Sequence, residues 1–192
     1  MIIAVESSNP DILLLTLRIF KNLGQTKFIT NNDKFKELTD EENFIDDIEV
    51  IFTDLSPDEL FIRDKGVFTE DYIVYDMKEF IPPYIDGVIV LDDFSPELNM
   101  DEIKELFEDV EDTLTFELVD SVGIIDTLLN KVKCKVSSYS LDNYFQDCIQ
   151  EKSLVTIKDS VLKKAVINGF SKFLGLRTKN VQKIIETEVG ND

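Results

Sequence analysis

Ile2-Ile3-Ala4-Val5, then Glu6-Ser7-Ser8-Asn9-Pro10-Asp11, then Ile12-Leu13-Leu14-Leu15-Thr16-Leu17-Arg18-Ile19-Phe20, is the stretch on which the fold turns. The opening apolar run is short and unbroken, as in a strand covered on both faces. Asn9 suits a helix N-cap, Pro10 the first helical position, and Asp11 the positive end of the helix dipole. Ile12, Leu15, Ile19 and Leu23 then form one apolar stripe, widened by Leu14, Leu17 and Phe20. Gly24 is expected to stop the helix in a left-handed conformation. A buried strand leading through a short turn into an amphipathic helix is the first half of a βαβ unit.

The same alternation continues along the chain. Lys27-Phe28-Ile29-Thr30 reads as a second strand, and Asp33 to Leu38 as a short helix. Glu49 to Thr53, Tyr72 to Tyr75, Gly87 to Leu91 and Thr115 to Val119 read as further strands. A helix is expected to carry Met100, Ile103, Leu106, Phe107 and Val110 on one face. Ser121 would cap another, bearing Val122, Ile125, Leu128 and Leu129. Val132, Cys134 and Val136 alternate with lysines, the pattern of a half-exposed strand near a sheet edge. Ser140 would cap a helix with Leu141, Tyr144, Phe145 and Cys148, and Ser160 to Leu174 forms another, stopped by Gly175. Strands alternating with helices predict an α/β fold: a mostly parallel sheet flanked by helices in three layers.

The chain has 192 residues and no linker rich in Gly, Pro or Ser, so a single domain over 1–192 is expected. It carries 39 acidic and 20 basic side chains, unevenly placed. Residues 1–130 hold 32 acids and 9 bases, while residues 131–192 hold 7 acids and 11 bases. The acidic part disfavours direct nucleic-acid binding, because phosphate contacts need Lys and Arg. There is no His, which removes Ser–His and Cys–His catalysis and His-ligated metals. Two cysteines make neither a disulfide framework nor a four-Cys metal site, and they read as reduced thiols. Neither a basic leader nor an apolar run of about 18 residues is evident, so a cytoplasmic, non-membrane protein is expected.

Ligands of an open parallel sheet bind beyond the carboxyl ends of its strands. Four strands end in or just before an acid: Glu6, Asp54, Asp76 and Asp92. Along one rim these could hold a cation such as Mg²⁺. The plainer account is that a chain with so many acids places them at many loop starts, and that account is preferred. Even so, four like charges on one rim favour a bound cation, a basic partner or raised pKa values. Asp92, Asp93, Glu97, Glu105 and Glu108 are the acids expected to dock a basic protein partner.

The first turn also speaks against a phosphate cradle. A P-loop needs glycines, so that backbone N–H groups can wrap the phosphates, and a Lys to neutralise them. Glu6 to Asp11 has neither, and the first basic residue anywhere is Arg18. Two acids would face any phosphate, and Pro10 lacks an N–H.

Two families are similar to this chain. Asp71-Tyr72-Ile73-Val74-Tyr75-Asp76, and Ile85 to Leu91 with Ser95-Pro96-Glu97 after it, resemble segments of the MinD/ParA group of P-loop ATPases, which includes the CpaE/TadZ proteins of pilus assembly. Ser140 to Leu174, with Gln150-Glu151-Lys152-Ser153-Leu154-Val155 and Lys158-Asp159-Ser160, resembles that group's C-terminal region. The resemblance implies that Asp76 matches the family's metal-side Asp. The group's Walker A motif is replaced by Glu6 to Asp11, so ATPase activity is not carried over and no nucleotide cofactor is expected. What the resemblance implies is a scaffold that binds protein partners, self-associates, and serves bacterial pilus, conjugation or positioning machinery.

Residues 1–110 also resemble a response-regulator receiver domain. Glu6 stands near its acidic pair, and Asp54 stands where the phospho-accepting Asp belongs. The conjugate Lys is replaced by Asp92-Asp93, which would make this a pseudo-receiver with the C-terminal third unexplained. The readings are therefore a non-catalytic scaffold first, then a pseudo-receiver, then a cation-dependent enzyme using the acidic rim. The last segment, Thr178 to Val189, is expected to pack on its own domain or a dimer mate. Its Glu186 and Glu188 suit it poorly to a membrane surface.

Overall fold

The chain begins with β1 (Ile2–Glu6), central in a nine-stranded sheet. The computed structural model describes residues 1–6, 10–55, 59, 70–76, 85–92, 112–118, 127–128 and 131–187. Helix α1 (Pro10–Lys21) follows β1, with Pro10 as its first residue, as the sequence predicts. Then come β2 (Thr26–Thr30), a 3-10 turn (Asp33–Glu37), the short β3 (Phe44–Ile45), β4 (Ile48–Phe52), β5 (Tyr72–Asp76) and β6 (Gly87–Asp92). The C-terminal part supplies β7 (Asp112–Leu118), β8 (Thr127–Leu128), β9 (Lys131–Val136) and the helices α2 (Ser138–Glu151), α3 (Ser160–Phe173) and α4 (Thr178–Glu186).

The strand order is β3-β4-β2-β5-β1-β6-β7-β9-β8. All neighbours pair in parallel except β3 with β4 and β8 with β9. The two antiparallel strands have two residues each and lie at the two edges, where short strands leave little unpaired backbone for another chain.

Both faces of the sheet are buried. On one face Ile3, Val5, Phe28, Val74, Ile89 and Phe116 join a core built by all four described helices. On the other, Ala4, Ile29, Ile73, Tyr75, Val88 and Val90 form a second cluster. This is an α/β fold with a mostly parallel sheet buried on both faces, consistent with a three-layer arrangement. Period-two alternation explains the split: odd residues of β1 enter one core and Ala4 the other. Phe170 of α3 fastens the first core, with ring centroids 6.4 Å from Phe20 of α1, 6.1 Å from Phe116 of β7 and 6.2 Å from Phe173. α3 approaches β7 and β9 closely because residue 169 is glycine: a Cβ there would lie 2.7 Å from Cys134 Sγ.

Several local expectations are corrected. Gly24 is not left-handed; among the described glycines only Gly175 has a positive φ, 62°, and it follows the end of α3 as expected. A Cβ on Gly24 would instead meet Asp71 Oδ2 at 2.6 Å. The helix expected through Leu128 is overridden, since Thr127–Leu128 is a strand that pairs with β9. Helix α2 starts before Ser140, with Ser137 at its N-cap position. Ser140 Oγ lies 3.2 Å from Asp159 Oδ2, linking the first turn of α2 to the N-cap of α3. Strand β3 has no signal in the sequence, because two residues are too few for a periodic pattern. The expected Asn9 cap and the helix from Met100 to Val110 lie outside the described residues.

Candidate functional site

The carboxyl ends of the parallel strands form one rim, and its lateral order follows from the sheet. From the β3 edge inward it runs from Asp54, two residues beyond β4, to Thr30 at the end of β2, Asp76 of β5, Glu6 of β1 and Asp92 of β6. The four acids proposed from sequence therefore share a rim, but they do not meet at a point. Asp54 and Asp92 are separated by four strand spacings, roughly 19 Å at about 4.8 Å each. A Mg²⁺ ion binds oxygen at about 2.0–2.1 Å, so no single ion reaches both. Glu6, Asp76 and Asp92 lie on three adjacent strands, with Val5 beside Asp76 and Glu6 beside Val90. Among the described residues no group of three or more His, Cys, Asp or Glu gathers to hold a metal. The side chains of Glu6 and Asp92, and the whole of Asp93, Glu97, Glu105 and Glu108, lie outside the described residues.

Asp54 is exposed, whereas Asp76 is buried with only 5% exposure. Thr30 Oγ1 donates to Asp76 Oδ2 at 2.7 Å and accepts from the Asn32 N–H at 3.0 Å. Asp76 is thus held by β2, its neighbour in the sheet. Burial, helped by the charge of Asp76, pushes the Tyr75 hydroxyl up to about 12. Beside the β4 end, Lys36 pairs with Asp33 at 2.7 Å and sits 5.4 Å from the centroid of the Phe52 ring.

Arg18, the first basic residue of the chain, is turned away from this rim. It is 1% exposed. Its guanidinium donates to the Leu154 carbonyl, to Ile185 O at 3.0 Å and to Thr187 O at 2.9 Å. Burial lowers its pKa, and nearby Tyr144, Cys148 and Asp46 offset part of that effect. Arg18 remains a cation, since a guanidinium does not lose its proton in proteins. Asp46 faces it through the chain: its carboxylate accepts from Ser153 Oγ at 2.8 Å and from the Leu154 N–H. In the sequence Arg18 stands out only as the first basic residue, well past the first turn. The signal lies in Ile12 to Phe20, apolar on every side of the helix apart from Thr16 and Arg18; the structure buries every residue from Asp11 to Phe20, so an arginine within α1 needs internal acceptors.

The cysteines offer no nucleophile. Burial pushes Cys134 up to about 12 and Cys148 up to about 11. Only a minute thiolate fraction then exists near neutral pH.

No protein-family model matches the chain, and no curated protein matches it in sequence. Among the described residues no helix is long and apolar enough to cross a membrane.

Proposed function

We propose that this chain is a non-catalytic scaffold or adaptor of the MinD/ParA kind that binds a protein partner. The carrying observation is Arg18: the basic residue nearest in sequence to the first turn is buried and committed to three backbone carbonyls. A phosphate at that turn would meet Glu6 and Asp11 with no cation from α1 before Arg18. The partner we favour has a basic surface, which would relieve the repulsion among the rim acids. Self-association, and a place in bacterial pilus, conjugation or positioning machinery, rest on the MinD/ParA likeness alone.

The pseudo-receiver reading is less well supported. Receiver-type sheets run 2-1-3-4-5, with the first two strands adjacent. Here β5 enters between β1 and β2, and two strands separate Asp54's strand from Glu6's. The rim-enzyme reading is narrowed to Glu6, Asp76 and Asp92.

A thermal-shift titration with ATP, ADP and GTP, each with and without Mg²⁺, tests the proposal. A ligand at one hundred times its Kd stabilises the native state by about 2.7 kcal/mol. No shift with any of them is the expected result. A shift that requires nucleotide overturns the scaffold reading, and a shift with Mg²⁺ alone overturns it in favour of the rim enzyme.

A further inference from the structure

We infer that α4 is a strap that opens as a unit and that Arg18 is its fastener. The helix has nine residues, too few to persist on their own in water. Its N-cap position is Arg177, whose side chain makes no capping hydrogen bond. Val181 and Ile185 are its fully buried apolar residues, set against α1 and α3. Its other end is held mostly from outside. Asn22 Nδ2 donates to Ile184 O at 2.9 Å, Arg18 Nη2 donates to Ile185 O and Thr187 O, and Lys163 pairs with Glu186 at 2.7 Å. Arg18 lies in the last turn of α1 and Asn22 immediately follows that helix, so the C-terminal end of one helix caps the terminal carbonyls of another. A cation at this end also complements the helix dipole.

The arrangement makes docking cooperative. Among the described residues the acceptors of Arg18 are carbonyls, not carboxylates, and two of the three belong to the end of α4. Undocking removes both at once and leaves a buried cation with one acceptor, an unfavourable state unless the whole helix leaves and water enters. Intermediate positions of α4 are therefore poorly populated, and the strap is either closed or open. The third acceptor, Leu154, extends the junction to the link between α2 and α3. Asp46 in turn ties that link to the turn between β3 and β4. Opening uncovers the surface of α1 and α3 beneath Val181 and Ile185, while the sheet keeps its own pairing.

Hydrogen–deuterium exchange on the full chain tests this. In the unaltered protein, amides of residues 178–187 are expected to exchange at least about tenfold faster than those of β1 and β5, and as one group. Arg18→Met is expected to speed the strap further while the strand amides keep their protection. Arg18→Lys falls between, because a lysine ammonium cannot span the same carbonyls. Equal protection of strap and strands in the unaltered protein overturns the inference, and this holds even if Arg18→Met fails to fold. So does an Arg18→Met effect of the same factor in both regions, which would make Arg18 part of the global core.

Discussion

Thr30 and Asp76 join the carboxyl ends of β2 and β5 through a 2.7 Å hydrogen bond, inside a rim that is otherwise mostly a row of acids. Asp76 is the residue that the MinD/ParA likeness would place beside a metal. In this chain it is bonded within the sheet. Thr30→Val keeps the shape and deletes one donor to a buried carboxylate. The expected loss is about 1.5–3 kcal/mol, read from urea unfolding. Thr30→Ser should lose less. An unchanged midpoint in the valine variant would mean that the bond adds nothing.

Asp159 is a N-cap with two jobs. Its Oδ1 accepts from the Val161 N–H at 2.9 Å and the Leu162 N–H at 2.7 Å, and its Oδ2 lies near Ser140 of α2. Asp159→Ala should cost about 0.5–2 kcal/mol, and Asp159→Asn markedly less, since Asn also caps well. Equal losses in the two variants would point to the charge and not to the cap.

Gly169 lets α3 sit against the sheet. A methyl group there would lie 2.7 Å from Cys134 Sγ and 3.1 Å from Leu114 Cδ1. Gly169→Ala should therefore destabilise by about 1–3 kcal/mol through overpacking. Combining it with Cys134→Ala should cost less than the sum of the two, because the second change vacates space that the first needs. Strict additivity in that cycle would place the strain elsewhere.

Alkaline pH should weaken the fold earlier than neutral-pH stability suggests. Folded Cys148 and Cys134 are pushed up to about 11 and about 12 by burial, while an unfolded thiol ionises near about 8.5. Between those values the unfolded chain has released protons that the folded chain still holds, so stability falls as pH rises. The contribution is complete below about 8.5 and lost through about 11–12. Urea midpoints from pH 7.5 upward should stay level and then decline, and Cys148→Ala should flatten the decline. A thiol reagent should react slowly with the native chain at pH 7.5 and quickly once it is unfolded.

Much of the architecture was legible because its signals are local. The unbroken run at Ile2 to Val5, Pro10 at the helix start and Gly175 after α3 each report on a few neighbouring dihedrals. The alternation of Val132, Cys134 and Val136 with lysines marked β9 as a strand near a sheet edge, and it lies next to the edge strand β8. The errors fall where local preference is weak or outvoted. Thr127 and Leu128 could continue an apolar helix, but pairing with Lys131 and Val132 draws them into a hairpin. Gly24 looked like a left-handed stop, yet its observed constraint is the closeness of Asp71, a residue far along the chain. The acids of the candidate site were legible as strand ends but not as neighbours.

By itself the sequence determined the alternation of strands and helices, the acids at the strand ends, the lack of histidine and the absence of a glycine-and-lysine phosphate cradle. Those properties follow from residue type and short-range spacing, which no tertiary arrangement can alter. Only the tertiary structure decided which strands lie side by side. It placed β5 between β1 and β2, which sets Asp54 apart from Glu6 and brings Thr30 to Asp76. It also decided what Arg18 holds, since its acceptors lie 136 to 169 residues away in the chain. Backbone hydrogen bonding does not depend on side-chain identity, so it does not by itself select which parallel strands become neighbours. Lateral order therefore comes from how the helices close the core, and no run of neighbouring residues encodes that alone.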